Sequence, residues 1–478
     1  MTGDTIAAVS TAPGEGGIGV VRISGDRSLE IMGRVFVRVG SCGTDFAERT
    51  VYYGHIVEPL SAERVDEALV FFMKGPRSYT GEDVCEIQCH GGGVPLRRVL
   101  DIVCGLGAVP AQPGEFTKRA FLNGRLDLAQ AGAVIDLIRS KTARGYHAAR
   151  EQAEGRLSER VRAVREVLLG ALAEIAARID YPEGFEGDGG VGIGALRSAA
   201  EGVAALLDGA EAGRIVRDGV RVVIVGRPNV GKSSLFNALV REDAAIVAPT
   251  PGTTRDALEI WLDMGGVPVL LTDTAGMREG AEEIEALGIE RAKEQYERAD
   301  LAVFLLDGSE PLSEADRAIA GGLDPEKKHV VAIGKGDLPQ AFGAAEAAAI
   351  LPPEIEAGEI VRLSLIDDGQ RTDKEKAGEI ERRLEGLVMG GIAAGSSLLV
   401  TKARHKALLE RAAAEIAEGM AALGGGGASG GADGNFAGAP EFAEVNIRAA
   451  WEALGEIIGE TATDDIIDRV FEEFCVGK

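Results

Sequence analysis

Short apolar runs set the rhythm of the first hundred residues. Segments 6–9, 18–23, 69–73 and 83–88 read as strands between glycine-rich turns, and a helix is expected over 94–104 after the Gly91–Gly93 break. Alternation through 84–90 puts Cys85, Ile87 and Cys89 on one face and Glu86, Gln88 and His90 on the other. From about residue 119 the period lengthens. Leu157, Val161, Val164, Leu168, Leu172, Ile175 and Ile179 recur at spacings of three and four, a helical core stripe that should stop at Tyr181-Pro182. After a glycine- and acid-rich loop to about 194, a second helical stretch over about 195–212 leads into segments 220–225, 269–273, 301–307 and 329–333. These apolar strands alternate with helices, as a parallel sheet demands. Beyond 378 the pattern is helical again over 398–409 and toward 423. The low-complexity stretch 424–434 should be a flexible insertion, and Thr463 should cap a last amphipathic helix through Ile466, Ile467, Val470, Phe471 and Phe474. The expected fold is multidomain. It has an α+β N-terminal domain over 1–118, a discontinuous all-α helical domain over 119–215 and 379–478, and an inserted α/β domain over 216–378.

Length and charge narrow the class. A chain of 478 residues supports roughly two to four domains. With 51 Lys+Arg against 76 Asp+Glu, the net charge of -25 argues against sequence-blind adhesion to nucleic acid or anionic membrane. The start lacks a basic segment with an apolar core behind it, and no run of about 18 apolar residues occurs, so a soluble cytoplasmic protein with no membrane partner is expected. Cys42, Cys85, Cys89, Cys104 and Cys475 are too scattered for a disulfide framework and read as reduced thiols. Cys85, Cys89 and His90 form an incomplete metal pattern, so they read as buried small hydrophobes with no zinc expected. Lys118, Arg119, Arg125, Arg139, Lys141 and Arg144 stand out in so acidic a chain, and they fit either a solvated helix face or an RNA-facing patch.

One stretch states its chemistry almost alone. Residues 226–233 read Gly-Arg-Pro-Asn-Val-Gly-Lys-Ser, a G-x-x-x-x-G-K-S phosphate loop between an expected strand and an expected helix, which makes the inserted domain a P-loop domain. Its backbone N–H groups aim at phosphate oxygens, Lys232 reaches the terminal phosphates, and the Ser233 hydroxyl is a Mg²⁺ ligand. Downstream, Asp273-Thr274-Ala275-Gly276 is a D-x-x-G at a strand end, which places Asp273 by Mg²⁺ and the Gly276 amide by a γ-phosphate. Thr253 and Thr254 offer a second Mg²⁺ hydroxyl. Asp337, two residues after Lys335, can accept from guanine N1–H and the 2-amino group, donors that adenine lacks. In this order behind a phosphate loop, the pieces specify GTP.

The span 226–337 resembles a translation-factor-type GTPase domain, and the whole chain resembles the MnmE (TrmE) family of tRNA uridine-5-carboxymethylaminomethyl modification GTPases. The residues that carry this are Thr5-Ile-Ala-Ala, Gly16-Gly-Ile-Gly-Val-Val-Arg-Ile-Ser-Gly25, Tyr79-Thr-Gly-Glu-Asp83, His90-Gly-Gly92, the run from Pro113 to Gln130, and the terminal Phe474-Cys-Val-Gly-Lys478. The resemblance implies a homodimer that binds a tetrahydrofolate derivative through Arg22, Glu86, Arg125 and Lys478. It also implies an FAD-dependent, MnmG-like partner forming a heterotetramer, and tRNA as substrate, modified at the wobble uridine. GTP contacts would fall on Asn229, Val230, Gly231, Lys232, Ser233, Ser234, Thr253, Thr254, Asp273, Thr274, Ala275, Gly276, Lys335 and Asp337. Mg²⁺ would fall on Ser233 and Thr254, and K⁺ on Asn229, Thr250 and Thr253. Where Ras-type enzymes carry a water-positioning Gln, this chain has Met277, and the family's alternative maps to Glu285 as the catalytic residue. Cys475 matches a near-terminal cysteine and is either chemically involved or a structural residue of the tail.

One departure concerns the guanine motif, N-K-x-D, whose first position here is Gly334; the missing amide should weaken nucleotide binding by one hydrogen bond, about 0.5–1.5 kcal/mol. Only Ser364 resembles the last guanine-loop motif. Two other classes of function are compatible with parts of the pattern: a GTPase that assembles ribosomes or RNA without modifying it, and a dimeric scaffold with an inert nucleotide site.

Overall fold

The computed structural model describes residues 3–40, 45–181, 193–240, 246, 258–273, 293–355, 360–365, 373–390, 392, 399–424 and 440–478. The chain divides into two compact units. One comprises Met1–Ile135, Glu151–Ala199 and Arg411–Lys478; the other comprises Asp136–Arg150 and Ala200–Glu410.

The first unit holds a seven-stranded sheet. Its strands are β1 (Ile6–Val9), β2 (Gly16–Ser24), β3 (Phe36–Arg38), β4 (Tyr52–Val57), β5 (Arg64–Met73), β6 (Val84–Gly91) and β7 (Val109–Pro110), in the spatial order β3-β4-β5-β6-β2-β1-β7. All pairings are antiparallel except β1 with β7. The helices Ser28–Val35 and Gly93–Gly105 bury Ile31, Met32, Val99 and Val103 in the same core as Val21, Ile23, Cys85 and Ile87. The alternation expected in β6 is present: Cys85, Ile87 and Cys89 are buried, and His90 is exposed. Burial pushes the Cys85 thiol up to about 12 and the Cys89 thiol to about 11, so both behave as small apolar side chains. The first helix and β3–β4 were not anticipated, although Ile31, Met32 and Val35 fall at helical spacing and β4 alternates; each element is short.

The helix Arg156–Asp180 ends where Tyr181-Pro182 forbids continuation, and its stripe from Leu157 to Ile175 is buried, with Ile179 at the edge. It packs against Pro440–Ile458, where the Arg165 guanidinium lies 4.0 Å from the Trp451 ring centroid. Four expectations are corrected. The stretch read as one helix over 195–212 is two, Ile193–Leu207 and Ala210–Asp218, interrupted at Asp208-Gly209. The helix expected from 398 begins at Ala403, because Leu399–Lys402 run non-helically with Val400 and Thr401 buried. Thr463 does occupy the N-cap of Asp464–Glu472, but its side chain accepts no capping bond, so the end rests on Asp464 and Asp465 in the first turn. That helix also stops at Glu472, and Phe474 is buried beyond it. The low-complexity insertion and the acid-rich loop fall almost entirely outside the described residues.

The second unit holds a six-stranded sheet of β8 (Val220–Val225), β9 (Leu258–Met264), β10 (Val267–Asp273), β11 (Leu301–Asp307), β12 (Lys328–Gly334) and β13 (Val361–Arg362), ordered β13-β12-β11-β8-β10-β9. Only the β9–β10 pair is antiparallel. Every residue of β10 and β11 is buried, the signature of strands covered on both faces. Helix Lys232–Leu239 covers one face with Leu235, Phe236 and Leu239, joined by Ile380, Leu384 and Val388 of the helix Asp373–Met389. The parallel strands β8, β10, β11 and β12 therefore end on one edge of the sheet, where loops from several strands meet.

Candidate functional site

At that edge β8 runs into residues 226–233 and then directly into helix Lys232–Leu239. Gly226 has φ of 154° and a Cβ there would lie 2.4 Å from the Leu305 carbonyl oxygen, so only glycine lets the chain leave the sheet at this point. Asn229 adopts φ of 65°, Gly231 sits left-handed at the N-cap, and Val230 is buried beneath the loop. The first-turn amides of Lys232, Ser233 and Ser234 have no intrahelical acceptors and face outward as an anion site; the two serine side chains are exposed. Lys232 is buried, and its ammonium donates to the carbonyls of Gly226 and Arg227, both at 2.9 Å. Burial pushes its pKa down against the opposing pull of Asp273. Asp273 ends β10, is itself buried, and with the Ser233 hydroxyl supplies the hard oxygen chemistry that suits Mg²⁺.

On the neighbouring loop, Lys335 adopts φ of 54° and its ammonium donates to Asp307 Oδ2 at 2.6 Å. Asp337 is exposed at the loop tip and accepts a 2.8 Å hydrogen bond from the Ser364 hydroxyl, which gives the faint last guanine-loop motif a physical role. Gln340 braces the loop by donating to the Lys335 and Leu338 carbonyls. The expected site residues Thr250, Thr253, Thr254, Thr274, Ala275, Gly276 and Glu285, and Met277, lie outside the described residues.

A second cluster lies in the first unit. Arg22 on β2 and Glu86 on β6 are register partners, and Arg22 Nε donates to Glu86 Oε1 at 2.8 Å. The guanidinium stands 5.3 Å from the Tyr79 ring centroid and 5.6 Å from that of Phe116, while Arg125 approaches Tyr79 at 5.1 Å and donates to its carbonyl at 2.6 Å. Arg22 Nη1 is buried without a hydrogen-bond partner among the described residues. The chain end joins this cluster. A Cβ on Gly477 (φ 93°) would lie 2.2 Å from the Val9 carbonyl oxygen, and the Gly114 amide donates to the Cys475 carbonyl. Lys478 is half-buried, and its pKa is lowered by desolvation first and by Arg22 second, with Glu86 opposing. All four residues assigned to folate through the resemblance therefore come together. Cys475 is exposed on a tail held in place, not frayed. A cleft of about 770 Å³ opens beside them, sharing Tyr79 and Arg125. Tyr79 and Phe116 had no chemical signal of their own beyond lying within two of the quoted motifs.

Among the basic residues of 118–144, Arg119 lies on neither of the expected surfaces. Arg119 is buried, its guanidinium shared among Glu82, Glu115 and the Asp4 carbonyl. Lys118 pairs with Asp468, and Lys141 lies 4.0 Å from the Trp261 ring centroid. Local carboxylates and an aromatic ring use these three, whereas Arg125 and Arg139 are exposed.

A phosphate loop, a buried strand-end aspartate and a Lys-x-Asp guanine loop on parallel strands of one sheet define a P-loop GTPase. The match to known proteins extends over the rest of the chain. The model described as GTP-binding protein TrmE N-terminus matches residues 5–125, and the MnmE helical domain model matches 128–475. The "tRNA modification GTPase MnmE" of Alkaliphilus oremlandii is 45% identical over 99% of both chains, and that of Geobacillus kaustophilus is 44% identical over 99% of both. Among solved structures, Aquifex aeolicus Era bound to GDP.AlF4- covers 41% of this chain and 66% of its own, at 24% identity and a TM-score of 0.27. The chain belongs to the MnmE family of tRNA modification GTPases. It is a GTP-binding hydrolase of that family, and among the described residues no helix is long and apolar enough to cross a membrane.

Proposed function

We propose that this protein hydrolyses GTP to drive installation of a carboxymethylaminomethyl-type group at C5 of the wobble uridine of tRNA. A tetrahydrofolate derivative supplies the one-carbon unit and an FAD-dependent partner joins a homodimer of this chain in a cytoplasmic heterotetramer. The three-domain division at 1–118, 119–215 with 379–478, and 216–378 belongs to the same reading. The observation that carries it is the Arg22–Glu86 pair at 2.8 Å beside the Tyr79 ring, with Gly477 packed against Val9 and Lys478 within electrostatic reach, an arrangement with no use in a nucleotide switch alone.

The residues suit the ligands. Glu86 has the acceptor a pterin's amino and ring N–H groups require, the unpartnered Nη1 of Arg22 can donate to a folate carbonyl or carboxylate, and Tyr79 offers an aromatic face. At the phosphate loop, the amides of residues 229–234 and Lys232 hold the phosphates, and Ser233 with Thr254 would hold Mg²⁺, which supplies charge neutralisation when bound. Asn229, Thr250 and Thr253 would hold K⁺, and Glu285 orients the attacking water in place of the glutamine that Met277 replaces. Asp337 selects guanine, with Lys335 covering the base.

Mass spectrometry of wobble nucleosides from cells lacking the protein tests the whole reading. Loss of the C5-aminomethyl uridine derivatives, restored by the intact gene, is expected. An unchanged nucleoside profile in a strain with altered ribosome assembly would leave the assembly-factor class standing instead.

A further inference from the structure

The strand order places β11 between β8, which feeds the phosphate loop, and β12, which feeds the guanine loop. Asp307 is its last residue, in register with Gly334. From this position a single side chain can reach both loops. Gly334 is also where the guanine motif lacks its asparagine, the side chain that would otherwise brace the phosphate loop. The carboxylate of Asp307 is buried, and its two oxygens have separate duties. Oδ1 accepts from the Ser309 amide at 3.0 Å and hydroxyl at 2.7 Å, fixing the group in its own turn. Oδ2 accepts from Lys335 Nζ of the guanine loop at 2.6 Å and lies 3.6 Å from Arg227 Nη2 of the phosphate loop. Arg227 is anchored in turn to Glu310 at 2.6 Å and lies 3.5 Å from Asp316, the N3 residue of the capped helix Glu314–Gly321. Burial opposes ionisation of Asp307, yet the hydrogen bonds from Lys335 and Ser309 outweigh it and hold its pKa below the usual carboxylate range.

We propose that Asp307 is a positioning residue that ties the guanine loop to the phosphate loop through Lys335 and Arg227, and that in this chain it carries the bracing a motif asparagine would share. The inference rests on the reading of Lys335 and Asp337 as the guanine contacts. The geometry also indicates how the missing tie can be rebuilt. A Cβ on Gly334 would meet Leu305 Cδ1 at 3.4 Å and the carbonyl oxygens of Leu306 and Val230 at 3.5 Å, ordinary contact distances, so an asparagine fits there beside the phosphate-loop backbone.

The experiment is release of a fluorescent GDP analogue, followed by stopped flow in the full chain. Asp307→Asn keeps the shape and the acceptor for Ser309 but removes the charge. It should release nucleotide about ten-fold faster, the size expected for one charge-assisted hydrogen bond, with association unchanged. Gly334→Asn should slow release by less than about three-fold alone, yet recover most of the loss in the Asp307→Asn background, a non-additivity that general destabilisation does not produce. Arg227→Gln removes the other end of the tie from a partly exposed side chain, and should speed release about three-fold even if the Asp307 variant does not fold. Unchanged release in Asp307→Asn or Arg227→Gln, or additive effects in the double variant, would overturn the inference while leaving the guanine site intact. Wild-type protein that holds no guanine nucleotide would overturn the reading of the site, and the inference with it.

Discussion

At the phosphate loop the ligand-facing groups come from residues 226–234, and most are backbone amides. In the folate site proposed around Arg22 they would come from positions 22, 79, 86, 125 and 478, and nearly all would be side chains. The first kind of site is held by glycine conformations and a helix start, so most side-chain changes in it leave the ligand contacts in place. The second kind has no such reserve, because each member is a single side chain brought in from a different part of the fold. The two also belong to different compact units. A reciprocal pair of variants breaks or sustains the contrast. Lys232→Ala removes the one indispensable side chain of the loop and should weaken GTP binding by about 3 kcal/mol, on the order of a hundred-fold, with 5-formyltetrahydrofolate binding within two-fold of wild type. Arg22→Ala should weaken the folate by about 2 kcal/mol, about thirty-fold, and leave the Kd for GTP unchanged. Calorimetry on both proteins decides. Loss of both ligands in either variant means that the two sites are not separable, and no heat with the folate removes the second site altogether.

The same contrast explains what could be read from the chain. Residues 226–233 are contiguous, so their spacing alone describes the turn, and the flanking strand and helix appear where expected at Val220–Val225 and Lys232–Leu239. Parallel strands buried on both faces are near-continuous apolar runs, which is why β8, β10, β11 and β12 were found almost to the residue. No local rule connects Arg22 with Lys478. Their meeting depends on the register of β2 with β6 and on a tail docked against β1, and only the family resemblance pointed to it. Asp307 was invisible for a further reason: a strand-end aspartate is common, and its value comes from which loops lie on either side. Arg119 misled in the opposite direction, since a cation on an expected helix surface gives no sign of the three acceptors that bury it.

Asn229 qualifies the picture of the phosphate loop as a backbone site. It is exposed and holds φ of 65°, a conformation Asn adopts more readily than most residues, and the proposed reading gives its side chain a duty of its own. If that duty is K⁺ coordination, hydrolysis should run about ten-fold faster in KCl than in NaCl at matched ionic strength, about 1.4 kcal/mol of transition-state stabilisation. Asn229→Ala should erase the difference without matching the loss of binding in Lys232→Ala. Equal rates in the two salts would return Asn229 to a conformational role and make the loop a backbone site throughout.

Acid should act on the two units with opposite sign, and this is the smallest effect. In the second unit His405 is fully buried, and its pKa is pushed well below the ordinary value by burial, then by Arg404, Lys402 and Arg217; burial also lowers that of His329. A histidine kept neutral in the fold costs nothing above its unfolded pKa near 6.5. As pH falls below that value the unfolded chain takes up the proton first, and stability declines, by about 1 kcal/mol for His405 at pH 5.5. In the first unit His90 is exposed and its pKa is raised by the hydrogen bond to Asp66, 2.6 Å away, so its contribution is complete below 6.5 and fades as pH rises through its folded value. Between pH 7.5 and 5.5, corrected for intrinsic rates, amide exchange in 403–410 should therefore speed about five-fold while that in 84–91 does not. His405→Gln should flatten the first response alone. An equal acceleration in both segments, or a response in 403–410 that survives the substitution, would show that the acid sensitivity is not set by the buried histidine.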